Sequence, residues 1–168
     1  MPILFIAIFI VLILLTNSVH SQTIDPDYAK LLSKLYKKSI KIIQPEELNK
    51  ILNGKNIFLL DTRTKEEYKI SHLKNAIFVD YKSFNIENVS NIPLNSEVVV
   101  YCSVGYRSGK IAEILQKNGY QNVLNLYGGI FEWVNEGYDI YNDNGITKKI
   151  HGYTKKWSKW LKHGEIIL

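Results

Sequence analysis

Cysteine is nearly absent: Cys102 is the only one in 168 residues. No disulfide can form within the chain, so stability rests on packing alone. Charge is missing from the start, since residues 1–21 hold no Lys, Arg, Asp or Glu. The apolar run there, Ile3 to Leu15, falls short of the ~20 residues a membrane-spanning helix needs. It reads as a secretory signal peptide cut at Ser21/Gln22. That places the mature chain outside the cytoplasm, periplasmic or secreted; the alternative is an uncleaved anchor. Repeats and low-complexity tracts are absent beyond this segment, and the length suits one ordinary domain.

Net charge is +5, and it sits in one place. Residues 144–168 carry six Lys and one Glu, leaving 15 basic and 15 acidic side chains elsewhere. A balanced domain with a basic tail is no argument for a nucleic-acid partner.

Cys102 ends the apolar run Val98-Val99-Val100-Tyr101 and opens Cys102-Ser103-Val104-Gly105-Tyr106-Arg107-Ser108. A helical pattern follows at once. The N–H groups of such a loop and helix start converge and favour negative charge at one point. A thiol placed there is suited to act as a nucleophile. The plain alternative is a buried cysteine serving as a small hydrophobe.

Short apolar runs alternate with helical patterns along the chain. Strands are expected at Ile40–Ile43, Ile57–Leu60, Ala76–Val79, Glu97–Tyr101 and Val123–Leu126. A first helix carries Ala29, Leu31, Leu32, Leu35 and Tyr36 inward, capped by Asp25 or Asp27. Pro45-Glu46-Glu47-Leu48 opens a second, closed by Asn53-Gly54. Thr64 to Glu67 forms a capping box for a third. Ser108–Asn118 is a helix with Ile111, Ala112, Ile114 and Leu115 inward, and Ile130–Val134 is the last. The pattern predicts an α/β fold, a mainly parallel five-stranded sheet with helices on both faces. Ligands in such folds bind beyond the carboxyl ends of the strands, where Cys102 and Asp61 both lie.

These residues together resemble the single-domain rhodaneses, a family of sulfurtransferases. The resemblance is carried by Pro45-Glu46-Glu47-Leu48, Asp61-Thr62-Arg63 with Glu66-Glu67-Tyr68, and Ser71-His72-Leu73-Lys74-Asn75-Ala76. The Cys102–Ser108 loop and Leu126-Tyr127-Gly128-Gly129 with Trp133 complete it. The resemblance runs from about Ile40 to Gly137 and leaves the flanks uncovered; the organisation expected is a signal peptide over 1–21, a helical extension over 22–38, a rhodanese domain over 39–142 and a basic aromatic tail over 143–168. The segment around His72 departs from the family, with Ser71, Lys74 and Asn75 where Gly, Pro and Gly are usual. Asn is the next best residue where φ must be positive, so the turn is expected to survive.

The resemblance implies transfer of a sulfane sulfur by double displacement, with Cys102 as the nucleophile that carries the persulfide. Ser103, Val104, Gly105, Tyr106 and Arg107 would bind substrate, and Asp61, Arg63, Glu67 and His72 would support the site. Arg107 either binds an anion or turns inward to pair with Asp61 or Glu67. Cofactor and metal are not required. The expected partners are a small sulfane-sulfur donor and a thiol or cyanide acceptor. Ser103, Val104 and Tyr106 are uncharged, so thiosulfate is expected as a test substrate rather than the natural one. Two rivals stand. A phosphatase of this fold has five residues between Cys and Arg, against four here. The other is a non-catalytic module of the same fold, either for binding, where the loop commonly lacks the cysteine, or for redox sensing. In the tail, Tyr153, Trp157, Trp160 and Leu161 share one helical face, expected to dock on the domain; the alternative is contact with a membrane surface or another protein.

Overall fold

The computed structural model describes residues 24–52 and 57–168. The apolar run, its cleavage point and the Asn53-Gly54 helix end lie outside them. Five strands form one parallel sheet: β1 (Lys41–Ile43), β2 (Ile57–Asp61), β3 (Ile77–Phe78), β4 (Glu97–Tyr101) and β5 (Asn122–Leu126). Their spatial order is β1-β5-β4-β2-β3. The central strand β4 pairs with β2 in a register that sets Asp61 beside Tyr101. The strand end before Cys102 therefore lies level with the end that carries Asp61.

Alternation along each central strand feeds two cores. Leu59, Val99 and Tyr101 point to one face; Leu60, Val98 and Val100 point to the other. Both sets are buried because helices cover both faces, as parallel sheets require. The second face is closed by α4 (Tyr106–Lys117) through Ile111, Ala112 and Leu115. Ile114, expected inward, is 39% exposed; the inward stripe of this helix is narrower than its apolar content.

The first face receives α1 (Pro26–Leu35), α2 (Pro45–Ile51) and α5 (Gly129–Asn135), with α3 (Lys65–Ile70) above the strand ends. Asp25 caps α1 by accepting from the Asp27 and Tyr28 N–H groups. Thr64 and Glu67 form the capping box of α3 in both directions. Tyr28 and Leu32 of α1 are fully buried, with Leu31 and Leu35 packed partly buried against the same core; Tyr28 is not among those the apolar pattern selects. Asn75 takes φ 61°, so the turn after His72 keeps its left-handed residue without glycine.

The tail docks on the first face, but not as one helix. The domain's last strand β6 (Ile140–Asn142) pairs with the tail's β7 (Gly145–Thr147); then come β8 (Lys149–His151), a four-residue helix α6 (Lys155–Ser158) and β9 (Glu165–Ile167), which pairs in parallel with β8. Ile150 and Leu161 are buried with Trp133 and Val134, and Trp160 stacks on Tyr28 with ring centroids 5.0 Å apart. Asn135 clamps the tail from α5: its Nδ2 donates to the Trp160 carbonyl at 2.9 Å, and its Oδ1 accepts from the Lys162 N–H at 2.7 Å. Tyr153, at φ 63°, turns the chain where helical spacing predicts continuity, and only Lys155–Ser158 of the expected face is helical. No helix of the described residues is long and apolar enough to cross a membrane.

Candidate functional site

Cys102 follows β4 directly and is 1% exposed. The chain then makes a tight loop, and Gly105 at φ 94° feeds it into α4. At 3.1 Å from Cys102 Sγ, the Gly105 N–H is aimed at the sulfur. A side chain in place of this glycine would be strained. Its φ is left-handed, and a Cβ there would collide with the Tyr36 ring.

Three supports fix the loop from below. Asn125 on β5 donates from Nδ2 to the Gly105 carbonyl at 2.9 Å and accepts from Ser108 Oγ at 2.7 Å. The N-terminus of α5 donates its free N–H groups to the loop carbonyls: Ile130 to Cys102 at 2.9 Å and Phe131 to Ser103 at 3.1 Å. Gly129 permits that approach, since a Cβ on it would strike the Cys102 carbonyl. Tyr36, just past α1, donates its hydroxyl to the Val104 carbonyl at 2.8 Å and accepts from the Gly128 N–H at 2.7 Å.

Glu67 organises the opposite side. Its carboxylate takes both terminal nitrogens of Arg107 at 2.7 and 2.8 Å, and the Ser103 hydroxyl at 2.8 Å. Burial pushes the Glu67 carboxyl up, but the Arg107 hydrogen bonds and charge outweigh it and hold the group down at about 2. Burial also opposes the Arg107 charge, and Glu67 overcomes it, keeping the guanidinium protonated. Arg107 thus turns inward, toward Glu67 rather than Asp61. Its outer face lies 4.9 Å from the Tyr153 ring centroid, a cation–π contact.

Asp61 and Arg63 form a separate pair with both side chains fully buried, Nη2 to Oδ2 at 2.7 Å. Arg63 also donates to the Ser71 carbonyl and lies over the Tyr101 ring. This pair ties the ends of β2 and β4 to the turn after α3. His72 is occupied structurally: its ring stacks on Tyr68 at 4.1 Å, its Nδ1 meets the Tyr68 carbonyl at 3.0 Å, and its backbone bridges to Tyr141. Tyr106 begins α4 and is 46% exposed.

Above the sulfur is a cavity of about 280 Å³ lined by Leu35, Cys102, Ser103, Val104, Tyr106, Arg107, Tyr153 and Trp157. The five loop residues among these were all legible as candidates from the sequence. Leu35, Tyr153 and Trp157 were not placed at the site, and neither were Tyr36 and Asn125. Asn125 did carry a signal, as the polar residue inside the apolar strand Val123-Leu124-Asn125-Leu126. The hydroxyl of Tyr36 reaches across 92 residues to Gly128, which no local pattern announces. Among the described residues no cluster of His, Cys, Asp or Glu could hold a metal ion.

Comparison with known proteins agrees with this geometry. A structure of a rhodanese-like domain protein from Staphylococcus aureus matches at TM-score 0.54 and 30% identity, covering 62% of this chain and 99% of that one. A rhodanese-related protein from Thermoplasma volcanium matches at TM-score 0.53 and 25% identity, over 60% of this chain and 96% of that one. A tRNA uridine(34) hydroxylase from Buchnera aphidicola subsp. Acyrthosiphon pisum (strain Tuc7) is 34% identical over 124 residues, which are 64% of this chain and 38% of that protein. The chain therefore spans less than two-fifths of the length of such curated relatives. The profile of the rhodanese-like domain matches residues 44–136, and with the cysteine loop and its sheet in place the chain belongs to the rhodanese-like domain family.

Proposed function

We propose that the protein is a sulfurtransferase that carries a sulfane sulfur as a persulfide on Cys102. The observation that supports this is the size and polarity of the loop. Four residues separate Cys102 from Arg107, a Gly105 N–H lies at 3.1 Å from Sγ, and the guanidinium is already held by Glu67. A phosphate ester would need a wider ring and an arginine free to grip its oxygens; a single sulfur atom needs neither. With thiosulfate, the Cys102 thiolate attacks the outer sulfur, the new S–S bond forms, and the old one breaks with its electron pair leaving on sulfite. An acceptor thiolate or cyanide then takes the outer sulfur and restores the thiolate. Burial of Cys102 against a small apolar cavity excludes water from the persulfide.

The test is mass spectrometry of the intact protein after thiosulfate treatment, with Cys102→Ser as control. Gain of one sulfur atom on Cys102, lost on addition of cyanide with release of thiocyanate, supports the reading. Release of phosphate from an aryl phosphate without persulfide overturns it.

A second reading comes from the names of the curated relatives, which say that those proteins hydroxylate tRNA uridine. Shared sequence over the rhodanese-like part supports it; the rest of those proteins has no counterpart in the match. Conversion of uridine in tRNA, dependent on Cys102, would favour this reading over small-molecule sulfur transfer.

A further inference from the structure

The cavity over Cys102 is completed by residues outside the 44–136 domain. Leu35 comes from the end of α1, Tyr153 from the turn after β8 and Trp157 from α6. With Val104 they make its walls mainly apolar. Arg107 is the only permanently charged side chain in the lining, and its charge is answered by Glu67 at 2.7 and 2.8 Å and covered by Tyr153. An inorganic dianion would lose its hydration here and meet no uncompensated cation. An organic molecule would lose little, and its flat or branched body would replace water against Leu35 and Trp157.

From this we propose that α1 and the tail form a specificity wall, and that the sulfur donor is a small organic sulfane compound with an apolar, preferably aromatic body. The proposal rests on the sulfurtransferase reading of the same site and adds the substrate class to it. For an organic persulfide R–S–SH, the Cys102 thiolate attacks the terminal sulfur. The Sγ–S bond forms, the R–S–S bond breaks, and the electron pair leaves on R–S⁻. Cys102–S–SH remains, with no net oxidation. The body of the donor rests on Leu35 and Trp157 while its terminal sulfur lies by the Gly105 N–H.

Two donors of equal charge and the same reactive group separate body from chemistry: benzenethiosulfonate and methanethiosulfonate, each with cyanide as acceptor. The full chain is expected to prefer the benzene compound by about tenfold or more in kcat/KM, the scale of discrimination an apolar pocket supplies. Trp157→Ala is expected to bring that ratio close to one. Tyr153→Ala, at a half-exposed side chain, gives a second variant if Trp157→Ala does not fold by circular dichroism. Equal use of the two donors by the unaltered chain, or a preference that survives both substitutions, overturns the specificity wall and leaves sulfur transfer standing. Failure of both donors to leave a sulfur on Cys102 overturns the sulfurtransferase reading, and the wall with it.

Discussion

Glu67 holds Arg107 by both terminal nitrogens and takes the Ser103 hydroxyl with the same carboxylate. One side chain on α3 thereby closes the loop that α4 begins. Removing it leaves a guanidinium only 14% exposed without its counter-charge.

Glu67→Gln is expected to cost about 3 kcal/mol, the usual result of breaking a buried pair from one side. Urea denaturation near neutral pH measures it. The pair also predicts an acid dependence. The folded carboxyl sits at about 2, below the value of 4.5 expected for it when unfolded. The unfolded chain therefore takes up protons first as pH falls, and the stability from this group, complete above 4.5, is lost down toward 2. In Glu67→Gln that part of the acid slope is expected to disappear.

Glu136 predicts the opposite slope. Burial, then the charges of Glu132 and Glu46, push its carboxyl up to about 7. Here the folded state holds the proton longer than the unfolded chain, so stability falls as pH rises between 4.5 and 7. Glu136→Gln is expected to melt higher than the unaltered chain at pH above 7, with the gap closing in mild acid. Thermal melts across that range decide it; an equal gap at every pH would show that the carboxyl is not raised.

Tyr36→Phe removes one hydroxyl that serves both Val104 and Gly128. The loss of two partly buried hydrogen bonds is expected to cost about 1–3 kcal/mol. A matching fall in the rate of persulfide formation, read by stopped mass spectrometry, would show that the tyrosine positions the loop. Unchanged rate with lowered stability would reduce it to packing.

Leu161→Ala tests the docking of the tail. The side chain is 7% exposed and belongs to the core that includes Ile150 and Trp133. A cost of about 2–4 kcal/mol is expected from the cavity left behind. Denaturation with no loss of stability would mean that the tail stands off the domain.

Much of this was legible because it is local. Alternating apolar runs gave the five strands, Thr64 and Glu67 gave their capping box, and the loop from Cys102 to Arg107 gave the candidate site in consecutive residues. Even the inward turn of Arg107 was one of two readings, since Asp61 ends β2 and Glu67 lies in the first turn of α3, close after it in the chain. The supports were not legible, because they are long-range. Tyr28 and Tyr36 act through hydroxyls that reach Gly128 and Val104 in distant loops, and polar atoms at the ends of large rings leave no periodicity. The tail misled for the reverse reason. Its aromatics fall at helical spacing, yet Tyr153 takes φ 63°, the helix between them lasts only from Lys155 to Ser158, and the flanking segments pair as β8 and β9. Ile114 is apolar on a helix whose inward face was already filled by Ile111 and Leu115.

Leu35 and Trp157 come from opposite ends of the described chain and meet over one sulfur atom. Neither belongs to a strand of the five-stranded sheet. The cover over the thiol is therefore a joint property of the two flanks, and it lifts if either comes away.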